Sequence, residues 1–200
     1  CVFQECTGIT EVTIPNSVTS IGGDAFNGCS RLTSVSIPNS VTEIGSSVFY
    51  DCSRLRTVSL PNSIDSIPSW FFMNCTSLTS VNIPSSVTTI NRGAFYGCTS
   101  LMSLRIPSSV TNIGIYAFSE CRNLQSITIP SSVTSLGSNL FSSCSGELRI
   151  NCNLLYSSTL NGSSFSSIII GDDVTVLGSS VFNNLKSLTS IVLGESLIEI

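Results

Sequence analysis

Seven of the chain's nine cysteines, Cys6, Cys29, Cys52, Cys75, Cys98, Cys121 and Cys144, recur every 23 residues. Thiols at a fixed interval can bridge, bind a metal, attack a substrate or pack. On stacked strands equivalent Cα atoms lie about 4.8 Å apart, a separation that disulfides tolerate. Side chains in register point the same way, however, leaving Cβ atoms at ~5 Å where a relaxed bridge prefers about 3.8 Å. Zinc needs four tetrahedral ligands, usually from close pairs, and there is neither a Cys-x-x-Cys nor any histidine. Without histidine a Ser or Cys nucleophile lacks its usual base, and Lys186 is the one partner for a Ser–Lys pair. Asp172-Asp173 is the tightest acid pair, but it occupies a turn that is Asn-Ser or Ser-Ser elsewhere, which reads as solvated. The cysteines are therefore read as a buried ladder of small hydrophobes, with no catalytic residue, metal or cofactor expected.

The elements that position them share the same period. Phe3, Phe26, Phe49, Phe72, Phe95, Phe118 and Phe141 repeat every 23 residues, as do Pro15, Pro38, Pro61, Pro84, Pro107 and Pro130. A fixed period of this length marks a solenoid of stacked units. In the unit that begins at Cys29, Val35 and Ile37 alternate with Ser34 and Ser36, the pattern of a half-buried strand. Pro38 closes that strand, and Asn39-Ser40 suits a turn. Val41 and Ile44 supply a second inward pair on the opposite wall, and Phe49 plugs the interior. Gly45, with Gly22, Gly114, Gly137 and Gly178 in the same slot, is expected at a left-handed turn.

The domain expectation is one array over 1–200, with regular repeats over 1–144. A strand followed by an irregular, shortened, loop-rich rung is expected over 145–170, and a resumed repeat over 171–200. Ile150 and Cys152 are assigned to its inward strand slots, Asn153 to the proline slot, and Phe165 to the phenylalanine slot. The chain opens and stops partway through a repeat, as a piece of a longer polypeptide would.

Composition narrows the function. Charged residues are 10% of the chain and the formal charge is −4, with no cluster of cations to displace counterions from phosphates. Nucleic acid is not an expected partner. Apolar runs are only a few residues long, so no membrane span is expected.

Read over residues 6–144, Cys-Ser-x-Leu-x-Ser-Val-x-Ile-Pro-x-Ser-Val-Thr-x-Ile-Gly-x-x-Ala-Phe-x-x-Cys resembles the BspA-like leucine-rich repeats. These occur on surface proteins of anaerobic bacteria and parasitic protists. The resemblance implies a mainly β leucine-rich-repeat solenoid: a curved right-handed array with a parallel sheet on the concave face and little helix. It also implies a cell-surface or extracellular location and adhesion to host or extracellular-matrix proteins, including fibronectin- and fibrinogen-type ligands. Function does not follow from fold alone. A structural spacer and an intracellular scaffold, which reduced cysteines would suit, stand as alternatives. One departure is Pro68-Ser69-Trp70-Phe71 in place of Gly-x-x-Ala, where proline's fixed φ predicts a different turn.

Binding then falls to exposed faces. The outward strand pairs are mostly short hydroxyls, from Ser34/Ser36 to Ser126/Thr128, with Arg149/Asn151 and Ser167/Ile169 following. Arg105, Arg149, Ile169 and Val192 stand out toward the C-terminal half as a partner footprint, against the simpler reading of ordinary solvated surface. Trp70 and Tyr116 share a slot two rungs apart, about 10 Å, and could cradle a sugar or peptide, or pack on the wall. Tyr50 and Tyr96 repeat a neighbouring slot. Asn161-Gly162-Ser163 and Asn74-Cys75-Thr76 match the N-glycosylation pattern, of which Asn161, in the loop-rich rung, is the more plausible acceptor.

Overall fold

Each 23-residue unit forms one coil carrying two short strands on opposite walls. The computed structural model describes residues 1–153, 156 and 158–199. Residues 154, 155 and 157 of the irregular stretch, and residue 200 of the resumed repeat, lie outside the described residues. In chain order come β1 (Glu11–Thr13), β2 (Ser20–Ile21), β3 (Ser34–Ser36), β4 (Glu43–Ile44), β5 (Thr57–Ser59) and β6 (Ser66–Ile67). Then follow β7 (Thr89–Ile90), β8 (Ser103–Leu104), β9 (Asn112–Ile113), β10 (Ser126–Ile129) and β11 (Ser135–Leu136). The last are β12 (Ser145–Ile150), β13 (Ser164–Ile170) and β14 (Ser190–Val192). The described residues contain no helix.

All pairing is parallel. On the first wall Val12, Val35 and Val58 lie opposite one another, as do Ile127 and Leu148. The alternation does what it promised: Val35 and Ile37 are buried and Ser34 and Ser36 exposed, because one face of each strand covers the core. Phenylalanine rings run through the interior as one column, stacked from Phe3 to Phe141 at centroid distances of 5.4–5.9 Å.

The sheets are not continuous. The first wall divides into β1-β3-β5 and β8-β10-β12-β13-β14, and the second into β2-β4 and β6-β7-β9-β11. The second break has a direct cause. Gly45, Asn91, Gly114 and Gly137 each donate their N–H to the carbonyl of an isoleucine one rung back. Pro68 fills that slot and has no N–H to give. Its turn, expected to differ, instead keeps its neighbours' form, with left-handed residues at Trp70 and Asn74 as at Ser47 and Asp51.

The glycine expectation is also corrected. Left-handed residues form two other columns: Asp24, Ser47, Trp70, Gly93, Tyr116 and Asn139, at φ of 52–59°, and Glu5, Gly28, Asp51, Asn74, Gly97, Glu120 and Ser143. There the N–H reaches the next rung, as from Asp24 to Ser46 O at 2.9 Å and from Trp70 to Arg92 O at 2.8 Å, which offsets the strain. Gly45 is needed for closeness, since a Cβ would stand 2.3 Å from the Gly23 amide nitrogen.

The strand expected at the start of the irregular stretch is β12, of 6 residues, but the rung expected to be loop-rich after it holds the longest strand, β13 of 7. Its register also differs from expectation. Leu148 and Ile150 fill the inward slots opposite Ile127 and Ile129, so Asn151, not Asn153, follows in the proline slot. The shortening begins directly after Cys144, where Gly146 at φ 95° brings its backbone against Gln125; a Cβ would lie 2.3 Å from that carbonyl oxygen. Phe165 sits on β13 opposite Gly146 and not in a loop slot. Its ring still joins the column, meeting Phe141 edge-on at 5.4 Å.

Candidate binding surface

The cysteines are the inner support of this surface. The eight from Cys1 to Cys144 are free thiols, and Cys29 to Cys144 are buried, as is Cys152. Each donates to the phenylalanine carbonyl 26 residues back: Cys52 to Phe26 O at 3.1 Å, Cys98 to Phe72 O at 3.2 Å, Cys144 to Phe118 O at 3.0 Å. That carbonyl already accepts the N–H of the cysteine three residues on, as Phe26 O does from Cys29. The thiol thus supplies a second donor where a methyl group would supply none. Burial pushes the Cys52 and Cys144 thiols up to about 12, and Cys75, Cys98 and Cys121 well above their ordinary value. A thiol held neutral is a poor nucleophile.

Hydroxyls form similar ladders on the flanks. Thr88, Thr111 and Thr134 each donate to the carbonyl of the residue 23 earlier, at 3.2–3.3 Å. Ser109 and Ser132 donate to the carbonyl 22 residues earlier, Val87 O and Val110 O, at 2.7 Å. Much of the serine and threonine content is thereby committed to joining rungs.

The outward strand positions remain open. Because β12 begins early, Arg149 lies opposite Thr128 and Ile169, with Val192 next along. Arg105 follows Leu104, which pairs with Ile127, and so precedes Thr128 in the same row. The outward pair on β12 is therefore Glu147/Arg149, not Arg149/Asn151. All four predicted footprint residues share one row. Arg105 and Arg149 are exposed, Val192 is 53% exposed, and Ile169 is half-buried. Arg105 borders a shallow depression of about 410 Å³ with Ser103, Ser126 and Thr128. A wider depression of about 730 Å³ lies over the N-terminal end of this face, edged by Thr13, Ser36, Ser59 and the amides Asn16, Asn39 and Asn62. No charged side chain lines it.

Trp70 and Tyr116 are brought together, but not as an empty cradle. Arg92 lies between them, its guanidinium carbon 5.2 Å from the indole centroid and 5.7 Å from the phenol centroid. Sequence reading missed Arg92. Its signal was a lone cation in a slot held by Ser46, Ser69, Ile115 and Ser138, beside the aromatic slot. Asp172 and Asp173 are exposed in their turn, and Asp172 Oδ1 accepts the Glu195 N–H at 3.0 Å. Asn161 is exposed, whereas Asn74 is half-buried and donates to Asp51 Oδ1 at 2.9 Å. Hydrogen bonds from Arg122 and Ser143 hold the Glu120 carboxyl below its ordinary range. Among the described residues no group of three or more His, Cys, Asp and Glu converges as metal ligands would, and no helix is long and apolar enough to cross a membrane.

The family profile for the BspA type leucine rich repeat region matches in six copies, over residues 1–114 and 153–200. Among solved structures, a leucine-rich repeat protein from Bacteroides ovatus is 27% identical with a TM-score of 0.81. The match covers 100% of this chain and 52% of that protein, so the chain spans about half its length. A leucine rich cell surface protein from Faecalibacterium prausnitzii is 26% identical with a TM-score of 0.60, covering 96% of this chain and 75% of that one. The pneumococcal vaccine antigen PcpA, at 19% identity and a TM-score of 0.56, shares the fold over 88% of this chain and 59% of its own. No curated protein matches the chain.

Proposed function

The chain belongs to the BspA-type leucine-rich repeat family, and from that premise we propose that it is a non-enzymatic recognition module of a cell-surface or secreted protein. It adheres to a host or extracellular-matrix protein through the row Arg105, Thr128, Arg149, Ile169 and Val192. The observation that carries this reading is the alignment of two cations and two aliphatics on a face made mostly of short hydroxyls. Guanidinium groups anchor interfaces where serine and threonine do not. Parallel strands hold the anchors at a spacing of about 4.8 Å, which lowers the ordering cost of binding. The surface location draws support from the similarity to the leucine rich cell surface protein of Faecalibacterium prausnitzii.

One test is capture of fibronectin and fibrinogen on an immobilised chain. Arg105→Ala and Arg149→Ala should each weaken capture by about fivefold or more. Undiminished capture by the double variant would remove the footprint.

A structural spacer is the second reading, favoured by the hydroxyl ladders, which bind rung to rung and not a partner. If chains shortened by whole rungs keep all ligand binding, the spacer reading replaces recognition by this face.

A further inference from the structure

The chain has one tryptophan and four tyrosines, and Tyr50, Trp70, Tyr96 and Tyr116 all fall in the turns leading from a second-wall strand to the next cysteine. Each is half-buried. Tyr96 meets Trp70 edge-on at 6.1 Å. Gly93 packs against the indole so closely that a Cβ would come within 2.0 Å of its ring carbons. Gly93 shares the left-handed slot of Trp70 and Tyr116, so the rung carrying Arg92 leaves room for the neighbouring ring.

Arg92 itself is exposed and forms no ion pair; among the described residues the single ion pair joins Arg122 to Glu120. Among the described residues its only side-chain partners are the two ring faces. The two rings hold the guanidinium carbon between them, and among the described residues the N–H groups along the guanidinium edge have no acceptor. A guanidinium already held by rings loses less freedom on binding an anion than a free arginine does. Carboxylates match that edge with two parallel hydrogen bonds. Tryptophan, tyrosine and arginine are also the residues that dominate interface energetics.

We propose that this wall is a second interaction surface, separate from the strand-face row, which captures a carboxylate on an acidic segment of a partner protein. Arg92 donates to the carboxylate, and Trp70, Tyr96 and Tyr116 flank it as apolar walls.

Trp70 is the only indole, so its fluorescence reports on this site alone. The 200-residue chain would be titrated with a short peptide of alternating Glu and Leu, with its Gln–Leu counterpart, and with a uronic-acid oligosaccharide. The Glu–Leu peptide should give a saturable emission change that weakens with salt. Arg92→Gln should weaken it about tenfold. Arg92→Lys, which keeps the charge but loses the fork, should fall between parent and Arg92→Gln. Arg105→Ala and Arg149→Ala should leave it unchanged, so failure here and failure of the strand-face row are distinguishable. Thermal melts of the Arg92 variants should match the parent, since the side chain is exposed. The proposal is overturned by no saturable change, by equal response to the Gln–Leu peptide, by undiminished response in Arg92→Gln, or by response to the oligosaccharide alone.

Discussion

Residues 24–144 and residues 145–170 build the same wall by different means. In the first stretch the period never varies, strands are only two to four residues long, and side chains carry much of the joining between rungs. Thiols reach phenylalanine carbonyls, hydroxyls reach the previous rung, and rings stack face to face. In the second stretch the 23-residue cysteine period has ended and the spacing shortens. There β12 and β13 lengthen to 6 and 7 residues, and backbone pairing takes over. Strict repetition is therefore one of two ways to hold a coil. The exception also moves Arg149 into the row of Arg105.

Alkali should separate the two regions most. Below about pH 8 the buried thiols are neutral in both folded and unfolded chains. Above it the unfolded chain gives up protons that Cys52 and Cys144 retain until about 12, so stability falls as pH rises through that window. Each such thiol removes about 1.4 kcal/mol per pH unit. Amide exchange between pH 9 and 11 should show the coils around Cys52 to Cys121 opening before β13, and simultaneous opening would deny the thiols their role.

Deleting a ring comes next. Phe95→Ala should cost about 3–5 kcal/mol in urea unfolding, because Phe95 stacks on Phe72 and Phe118. Phe165→Ala, with its edge contact to Phe141, should fall at the lower end of that range. The reverse order would show that the column does not weaken there.

A methyl group gives a smaller contrast within one slot. Gly45→Ala drives a Cβ against the Gly23 backbone and should cost about 1–3 kcal/mol. Gly22→Ala, with nothing within 4 Å, should lie within about 0.5 kcal/mol of the parent. Smallest of all, Thr111→Val removes one partly exposed hydroxyl bond to Thr88 O, with about 0.5–1 kcal/mol expected in the same assay.

The regular coils were legible in sequence because burial there follows a fixed period. Leu32, Val35, Ile37, Val41 and Phe49 are all buried as their spacing requires. The periodic cysteines were read as packing, and the structure adds the carbonyls they donate to. What was not legible lay where the period carries no information. Gly45 looked like a turn residue because glycine serves both positive φ and close approach, and only coordinates separate the two. Pro68 acts through an N–H it lacks in a ladder between rungs, which its own turn does not reveal. The register of β12 turns on where the shortening falls, and the residues around Gly146 allowed two placements. Arg92 escaped notice because its partners sit 22 and 24 residues away along the chain.

Oxidative trapping of engineered cysteine pairs in a chain with Cys1 and Cys6 replaced by serine tests the rung register most directly. Thr128→Cys with Arg149→Cys joins residues that face each other on adjacent strands, within the Cα range of a disulfide. Ser126→Cys with Arg149→Cys keeps the 23-residue interval but lies diagonally, at roughly 8 Å. Because in-register Cβ atoms stand at about 5 Å, the account predicts slow bridging of the first pair and far less of the second. Preferential bridging of the second pair would move Arg149 out of the row and contradict the account.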